Sequence, residues 1–305
     1  MAEQHEQPAK PVPTIIWHPS PNFGDRPAGA AIDTLVLHYT GMPNGEMALT
    51  RMCDPASQVS AHYMVEEDGC IYQLVAESKR AWHAGRGFWR GCTDINSSSI
   101  GIEIVNPGHE FGYRPFAIAQ IDAVIALCQA LLGRHDIPAH NIIAHSDMAP
   151  DRKEDPGELF PWQKLAENGI GLWPQTDMRD QSPPDESKQN FASPANRGNE
   201  TSIMDGVIAA TIITDNQSRP VKAITPQDTA PPHQPEADAA GSVSPGDCEV
   251  LFDRLLAQFG YGPGQAIDNR IAFQRHWRPH CLNGRADEQS LAILTDLIGQ
   301  CPPLP

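Results

Sequence analysis

Two short apolar runs, Thr34-Leu35-Val36-Leu37-His38 and Asn141-Ile142-Ile143-Ala144-His145, each close on a histidine. Their β-branched and aliphatic residues read as strands, the first over 31–39 and the second over 141–144. Between them the pattern alternates between strand and helix. Residues 61–65 and 70–74 read as a hairpin turned by Asp68-Gly69. Residues 99–106 alternate, with Ile100, Ile102 and Ile104 on one side and Gly101, Glu103 and Val105 on the other. A helix is predicted over 115–132, from Pro115 near its first turn through Ile118, Ile121, Val124, Ile125, Cys128 and Leu132 to a cap at Gly133. This interleaving predicts an α/β class: a mixed β-sheet flanked by helices.

The chain divides into zones by composition. Residues 1–13 are polar and proline-rich and read as a flexible N-terminus. Residues 14–174 hold the dense apolar segments of a catalytic-sized domain. Residues 175–245 shift to Pro, Asp, Ser, Gln and Asn and read as a linker, since such a stretch buries too little surface to offset its ordering entropy. One apolar island at 207–213 breaks that pattern, either as a short docking strand or as a patch in a loop. Residues 246–305 regain helical periodicity and read as a small C-terminal three-helix domain over 247–259, 267–277 and 286–298. So small a bundle needs its aromatics inside, so Phe273 and Trp277 read as core. The inward face of its first helix is expected at Val250, Leu251, Leu255 and Phe259.

Charge excludes one class of partner. The chain carries a formal net charge of -16, and nucleic-acid binding through phosphates needs clustered Lys and Arg. No run is long and apolar enough to span a bilayer. The 7 cysteines are scattered, odd in number and without a Cys-x-x-Cys pair, which argues for reduced, packed thiols. That usage and the absence of a visible secretory signal favour the cytoplasm, with the periplasm or cell envelope as the alternative.

Singly, His38 and His145 read as hydrogen-bonded structural groups, and Asp155 before Pro156 as the opening of a turn. Together they read differently. Both histidines end predicted strands, where α/β sites gather, and Asp155 follows on a loop able to fold back. Two histidines and one carboxylate leave a fourth tetrahedral position open, the arrangement of a catalytic zinc. Glu103, set in an apolar strand, must be paired, hydrogen-bonded or raised in pKa. A raised pKa suits a general acid/base. Lys153 is either solvated within its charged run or aimed at the same site.

Five ordered segments carry a resemblance: residues 35–40, 59–65, 80–85 (Arg80-Ala81-Trp82-His83-Ala84-Gly85), 99–103, and 144–147 leading into Arg152-Lys153-Glu154-Asp155-Pro156-Gly157. With them, residues 31–174 resemble zinc-dependent N-acetylmuramoyl-L-alanine amidases of the type-2 group, whose relatives include phage amidases and peptidoglycan-recognition proteins. The resemblance implies one zinc held by His38, His145 and Asp155, with Glu103 as acid/base and Lys153 stabilising the oxyanion. It places Trp82 and His83 along the substrate cleft and makes His62 structural. Asp155 stands where phage and recognition relatives often carry Cys, which points to the bacterial muropeptide amidases. Ala61 stands where those relatives commonly carry a catalytic Tyr, which puts more weight on Glu103. The substrate implied is peptidoglycan or soluble muropeptides, cut at the amide between the lactyl group and L-alanine. The segments 272–279 and 283–287 resemble peptidoglycan-binding helical domains, which would raise local substrate concentration through the linker. A noncatalytic peptidoglycan-recognition protein is the alternative. A structural zinc protein would need a fourth ligand, from His62 or His83.

Overall fold

The computed structural model describes residues 14–175 and 245–304. The expected N-terminal tail, nearly all of the expected linker and the apolar island at 207–213 lie outside the described residues. In chain order the strands are β1 (Ile15–Trp17), β2 (Phe23–Asp25), β3 (Thr34–Tyr39), β4 (Tyr63–Val65), β5 (Ile71–Gln73), β6 (Lys79–Ala81), β7 (Ser99–Ile104) and β8 (Ile142–Ala144). The helices are α1 (Gly45–Cys53), α2 (Ile95–Ser98), α3 (Gly108–Phe111), α4 (Ile118–Leu132), α5 (His145–Met148), α6 (Trp162–Ala166), α7 (Pro245–Phe259), α8 (Ala266–Trp277) and α9 (Glu288–Gly299).

Six strands form one mixed sheet in the order β1-β5-β4-β7-β3-β8, and β2 pairs with β6 beside it. The predicted hairpin is the antiparallel β4–β5 pair; β4, β7, β3 and β8 run parallel. Leu35, Leu37, Ile100, Ile102 and Ile104 point to one face, where Ile121, Val124, Ile125, Cys128 and Leu131 of α4 cover them. The alternation read from residues 99–106 therefore holds, with Val105 packing on the opposite side against Met64 and Met52. The helix differs at its ends. It begins at Ile118, which is 77% exposed, so Pro115 lies before the helix and Ile118 contributes nothing to the core. Gly133 caps it in a right-handed conformation, so the freedom of glycine is not used there.

Parallel register sets the site. Leu37 pairs with Ile102 and His38 with Glu103, while Leu37 also pairs with Ala144. The C-terminal ends of β7, β3 and β8 thus bring Glu103 and His38 abreast, with His145 just past the end of β8. This is the edge of an α/β sheet where sites form.

The three C-terminal helices pack with the sheet layer as one compact unit. Phe273 and Trp277 are buried, as read from sequence. The inward face of α7 is the expected one at Phe259 but not at Val250 and Leu251, and Leu255 is half-buried. Val250 and Leu251 are exposed, whereas Phe252, Leu256 and Phe259 are buried. Both sets have helical spacing, but Phe252 meets Phe273 edge-on at 5.3 Å and Phe259 meets Trp277 at 5.2 Å. Aromatic contact across the bundle decides between two faces that periodicity leaves equal. On the other side of Phe259, Trp89 packs edge-on at 5.8 Å, and Arg90 Nη1 donates to the Phe259 carbonyl at 2.7 Å.

Candidate active site

His38 Nδ1, His145 Nδ1 and Asp155 Oδ2 stand 2.9, 2.9 and 3.0 Å apart, all buried. Among the described residues these three form the single group with metal-ligand spacing, with no fourth protein ligand. His62 is engaged elsewhere. Its Nδ1 accepts from the Gly101 amide at 3.0 Å, and its Nε2 faces the Lys79 carbonyl and Arg26. That is a structural role, and burial holds its pKa down at about 4.

The protons around the trio show what belongs at its centre. His145 Nε2 lies 3.0 Å from the Ala84 carbonyl. A carbonyl only accepts, so Nε2 carries the hydrogen and Nδ1 of the neutral ring points a lone pair inward. Burial, then the neighbouring His145, pushes His38 down to about 4, which keeps that ring neutral too. The matching tautomer sends His38 Nε2–H to His83 Nδ1 at 3.0 Å and His83 Nε2–H to Ser99 Oγ at 3.2 Å. Asp155 Oδ2 faces the same point, 2.9 Å from His38 Nδ1 and 3.0 Å from His145 Nδ1. Three electron-rich atoms converge, and a cation resolves their repulsion. Around a tetrahedral zinc such atoms stand about 3.3 Å apart, so the trio fits the ion with a small opening.

Each side chain has a local reason for its place. His83 sits over Gly101, where an added Cβ would lie 2.5 Å from the ring. This contact requires glycine in β7 and lets the ring reach His38. His83 therefore stands behind a candidate ligand, its outer nitrogen bonded to Ser99; such partners orient metal-binding imidazoles. Asp155 precedes a cis proline peptide, and its carbonyl accepts from the Ser146 amide at 3.0 Å, which ties its loop to α5.

Glu103 lies beside His38 in the register. Its Oε2 is buried without a hydrogen-bond partner. Burial first, then repulsion from Asp155, raises its pKa well above the usual value, with Lys153 opposing. Glu103, Lys153, Trp82, His83, His145 and Asp155 border one cleft of about 700 Å³. All seven residues singled out in the sequence thus come together, with His38 completing the trio.

One partnership was not readable from local pattern. Asp147, fully buried on α5, accepts from the Ala144 amide at 2.8 Å, from Tyr261 Oη at 2.7 Å and from His276 Nδ1 at 2.7 Å. His276 is sandwiched between Trp162 and Trp277, with ring centroids 3.7 and 3.6 Å away. The C-terminal helices therefore grip the short helix that begins with His145. Replacing His276 by Phe keeps the stack and removes one donor from a buried carboxylate. The expected cost is about 1–3 kcal/mol, read as a lower midpoint in urea denaturation; an unchanged midpoint would contradict the clamp.

Comparison with known proteins agrees with this geometry. A family model described as N-acetylmuramoyl-L-alanine amidase matches residues 28–158. The N-acetylmuramoyl-L-alanine amidase AmiD of Escherichia coli K12 is 34% identical over 285 residues, covering 88% of this chain and 82% of that protein. The 1,6-anhydro-N-acetylmuramyl-L-alanine amidase AmpD of Enterobacter cloacae is 35% identical over 164 residues, 48% of this chain and 86% of that protein. Among solved structures, the complex of E. coli AmiD with anhydro-N-acetylmuramic acid-L-Ala-D-gamma-Glu-L-Lys aligns with a TM-score of 0.60 at 32% identity, covering 92% of this chain and 98% of that one. Identity of this order over 88% of the chain means that the chain belongs to the N-acetylmuramoyl-L-alanine amidase family.

Proposed function

We propose that the protein binds one zinc ion on His38, His145 and Asp155 and uses it to hydrolyse the amide between the lactyl group of N-acetylmuramic acid and L-alanine of the stem peptide. The observation that carries this reading is Glu103. A carboxyl with one buried, unpartnered oxygen and a raised pKa borders the same cleft as three converging ligand atoms. A noncatalytic recognition protein has no use for such a group.

Bound zinc supplies Lewis acidity, polarising the scissile carbonyl and acidifying water. The chain's own residues do the rest. Glu103 takes the proton of the attacking water and returns it to the leaving nitrogen of L-alanine. Lys153, on the rim beside Asp155, donates to the oxyanion as the carbonyl carbon becomes tetrahedral; one such donor is typically worth about 10²–10³ in turnover. His83 and the Ala84 carbonyl keep the two imidazoles in the tautomer that the ion requires. Trp82 borders the cleft as a substrate-facing wall.

The related AmpD is named for a 1,6-anhydro-N-acetylmuramyl substrate, and the AmiD complex holds an anhydromuramyl tripeptide. On that support, anhydro-muropeptides are the substrates proposed for this chain. Incubation of the zinc-loaded protein with soluble anhydro-muropeptides and with intact sacculi, followed by mass spectrometry, tests the reading. Free stem peptide beginning with L-alanine is expected from the soluble substrate. Its release from sacculi as well would extend the substrate to polymer, and its absence from both would defeat the amidase reading.

A further inference from the structure

Two arginines of and beside α8 hold a carboxylate at hydrogen-bond distance, and Arg275 does not. Arg270 binds Asp253 through two contacts of 2.7 Å. Arg278 binds Asp287 at 2.6 Å and Ser290 at 3.0 Å. Arg275 is only 8% exposed, yet its nearest carboxylates are Glu154 Oε1 at 3.6 Å and Glu158 Oε2 at 3.7 Å, both beyond hydrogen-bond reach. Its Nε is buried without a hydrogen-bond partner. A buried guanidinium without a hydrogen-bonded carboxylate is costly; Arg278 also leaves its Nε unpartnered, but it and Arg270 each bind a carboxylate directly.

The position of Arg275 explains the exception. Asp268, Ile271 and Arg275 recur at helical spacing on α8, and all three border the catalytic cleft. Glu154 adjoins Asp155 in sequence, so the guanidinium flanks the loop that carries a metal ligand. Glu154 and Glu158 are also shared with His109, at 3.5 and 3.2 Å. They hold Arg275 in place without filling its fork.

We propose that Arg275 is a carboxylate-binding subsite of the catalytic cleft, supplied by the C-terminal helices, and that its ligand is a free carboxylate of the stem peptide. The proposal rests on the muropeptide reading above. In such a substrate the lactyl carboxyl is tied up in the scissile amide and the sugar is uncharged, so every free carboxylate lies on the peptide side. A planar guanidinium fork matches a carboxylate with two parallel hydrogen bonds. The peptide, rather than the sugar, then runs along α8. The C-terminal helices take part in substrate selection within the cleft itself.

The test compares wild type, Arg275→Met and Arg275→Lys on two substrates: anhydromuramyl-L-Ala-D-γ-Glu-L-Lys, and the same compound with its two peptide carboxylates converted to carboxamides. Methionine keeps most of the buried stem. On the free acid, Arg275→Met is expected to raise KM roughly tenfold with kcat within about twofold, and lysine to recover part of the loss. On the carboxamide, wild type and Arg275→Met should be equal. An equal loss on both substrates, or none on the free acid, overturns the subsite. Binding of the two compounds to zinc-loaded Glu103→Gln protein, with and without Arg275→Met, reads the subsite independently of turnover. Weakening confined to the free acid supports it, and identical dissociation constants overturn it. Hydrolysis of neither compound by wild type would instead strike the amidase reading.

Discussion

Replacing His145 by alanine is expected to abolish zinc binding and hydrolysis together. The ring offers one of three converging atoms, and its other nitrogen is spent on the Ala84 carbonyl. What remains is His38 Nδ1 and Asp155 Oδ2, two protein ligands where the tetrahedral site needs three. Loss of an outer hydrogen bond around a metal ligand already costs about 10–100-fold in affinity or activity, and loss of the ligand itself costs more. Metal content after dialysis, measured beside the rate of stem-peptide release, reads both effects. Circular dichroism separates them from unfolding, because α5 is still held through Asp147 by Tyr261 and His276. A variant that retains stoichiometric zinc and full turnover would remove His145 from the metal centre.

Glu103→Gln should separate what His145→Ala joins. The variant is expected to bind zinc normally and to lose about 10²–10⁴ in turnover, the range a positioned acid/base supplies. Its stability should move the other way. The folded protein holds the Glu103 pKa well above the ordinary value of 4.5, through burial and the nearby Asp155. A carboxyl raised in this way contributes stability below about pH 4.5 and loses it as pH rises through the folded-state pKa, where the ionised form must sit buried. Glutamine never ionises. At neutral pH the variant should therefore melt no lower than wild type, with its advantage shrinking toward pH 4.5. Full activity in metal-replete Glu103→Gln would end the acid/base assignment, and a lower melting point at neutral pH would contradict the buried-carboxylate account.

The centre was legible in the sequence because its parts obey local rules. His38 and His145 are legible because each follows an apolar run that can only be a buried strand. Glu103 is legible because a carboxylate alternates into a run, residues 100–105, otherwise made of isoleucine, valine and glycine. Their convergence is not local. His38 meets Glu103 because β3 and β7 pair in parallel with that register, and His145 joins them because β8 pairs on the other side of β3. Periodicity also left the orientation of α7 open, since the set containing Val250 and Leu251 and the set containing Phe252 and Leu256 both repeat helically. Contact of Phe252 with Phe273 chose the second set. His83 shows the same limit. Its segment points to the cleft, but only the absence of a side chain at Gly101 allows its ring to reach His38 and serve a ligand.

The sequence by itself determined the chemistry: which side chains can hold a zinc ion, which carboxyl is out of place among apolar neighbours, and which stretches form strands and helices. These follow from residue types and spacings over a few positions, where side-chain period and turn chemistry act directly. Only the tertiary structure decided that the C-terminal helices border the catalytic cleft. Tyr261 and His276 reach Asp147 across 114 and 129 residues, and Arg275 reaches the cleft beside Glu154. No local pattern encodes such contacts. They exist because packing brings a buried carboxylate its donors, and brings a buried guanidinium to the cleft, from a distant part of the chain.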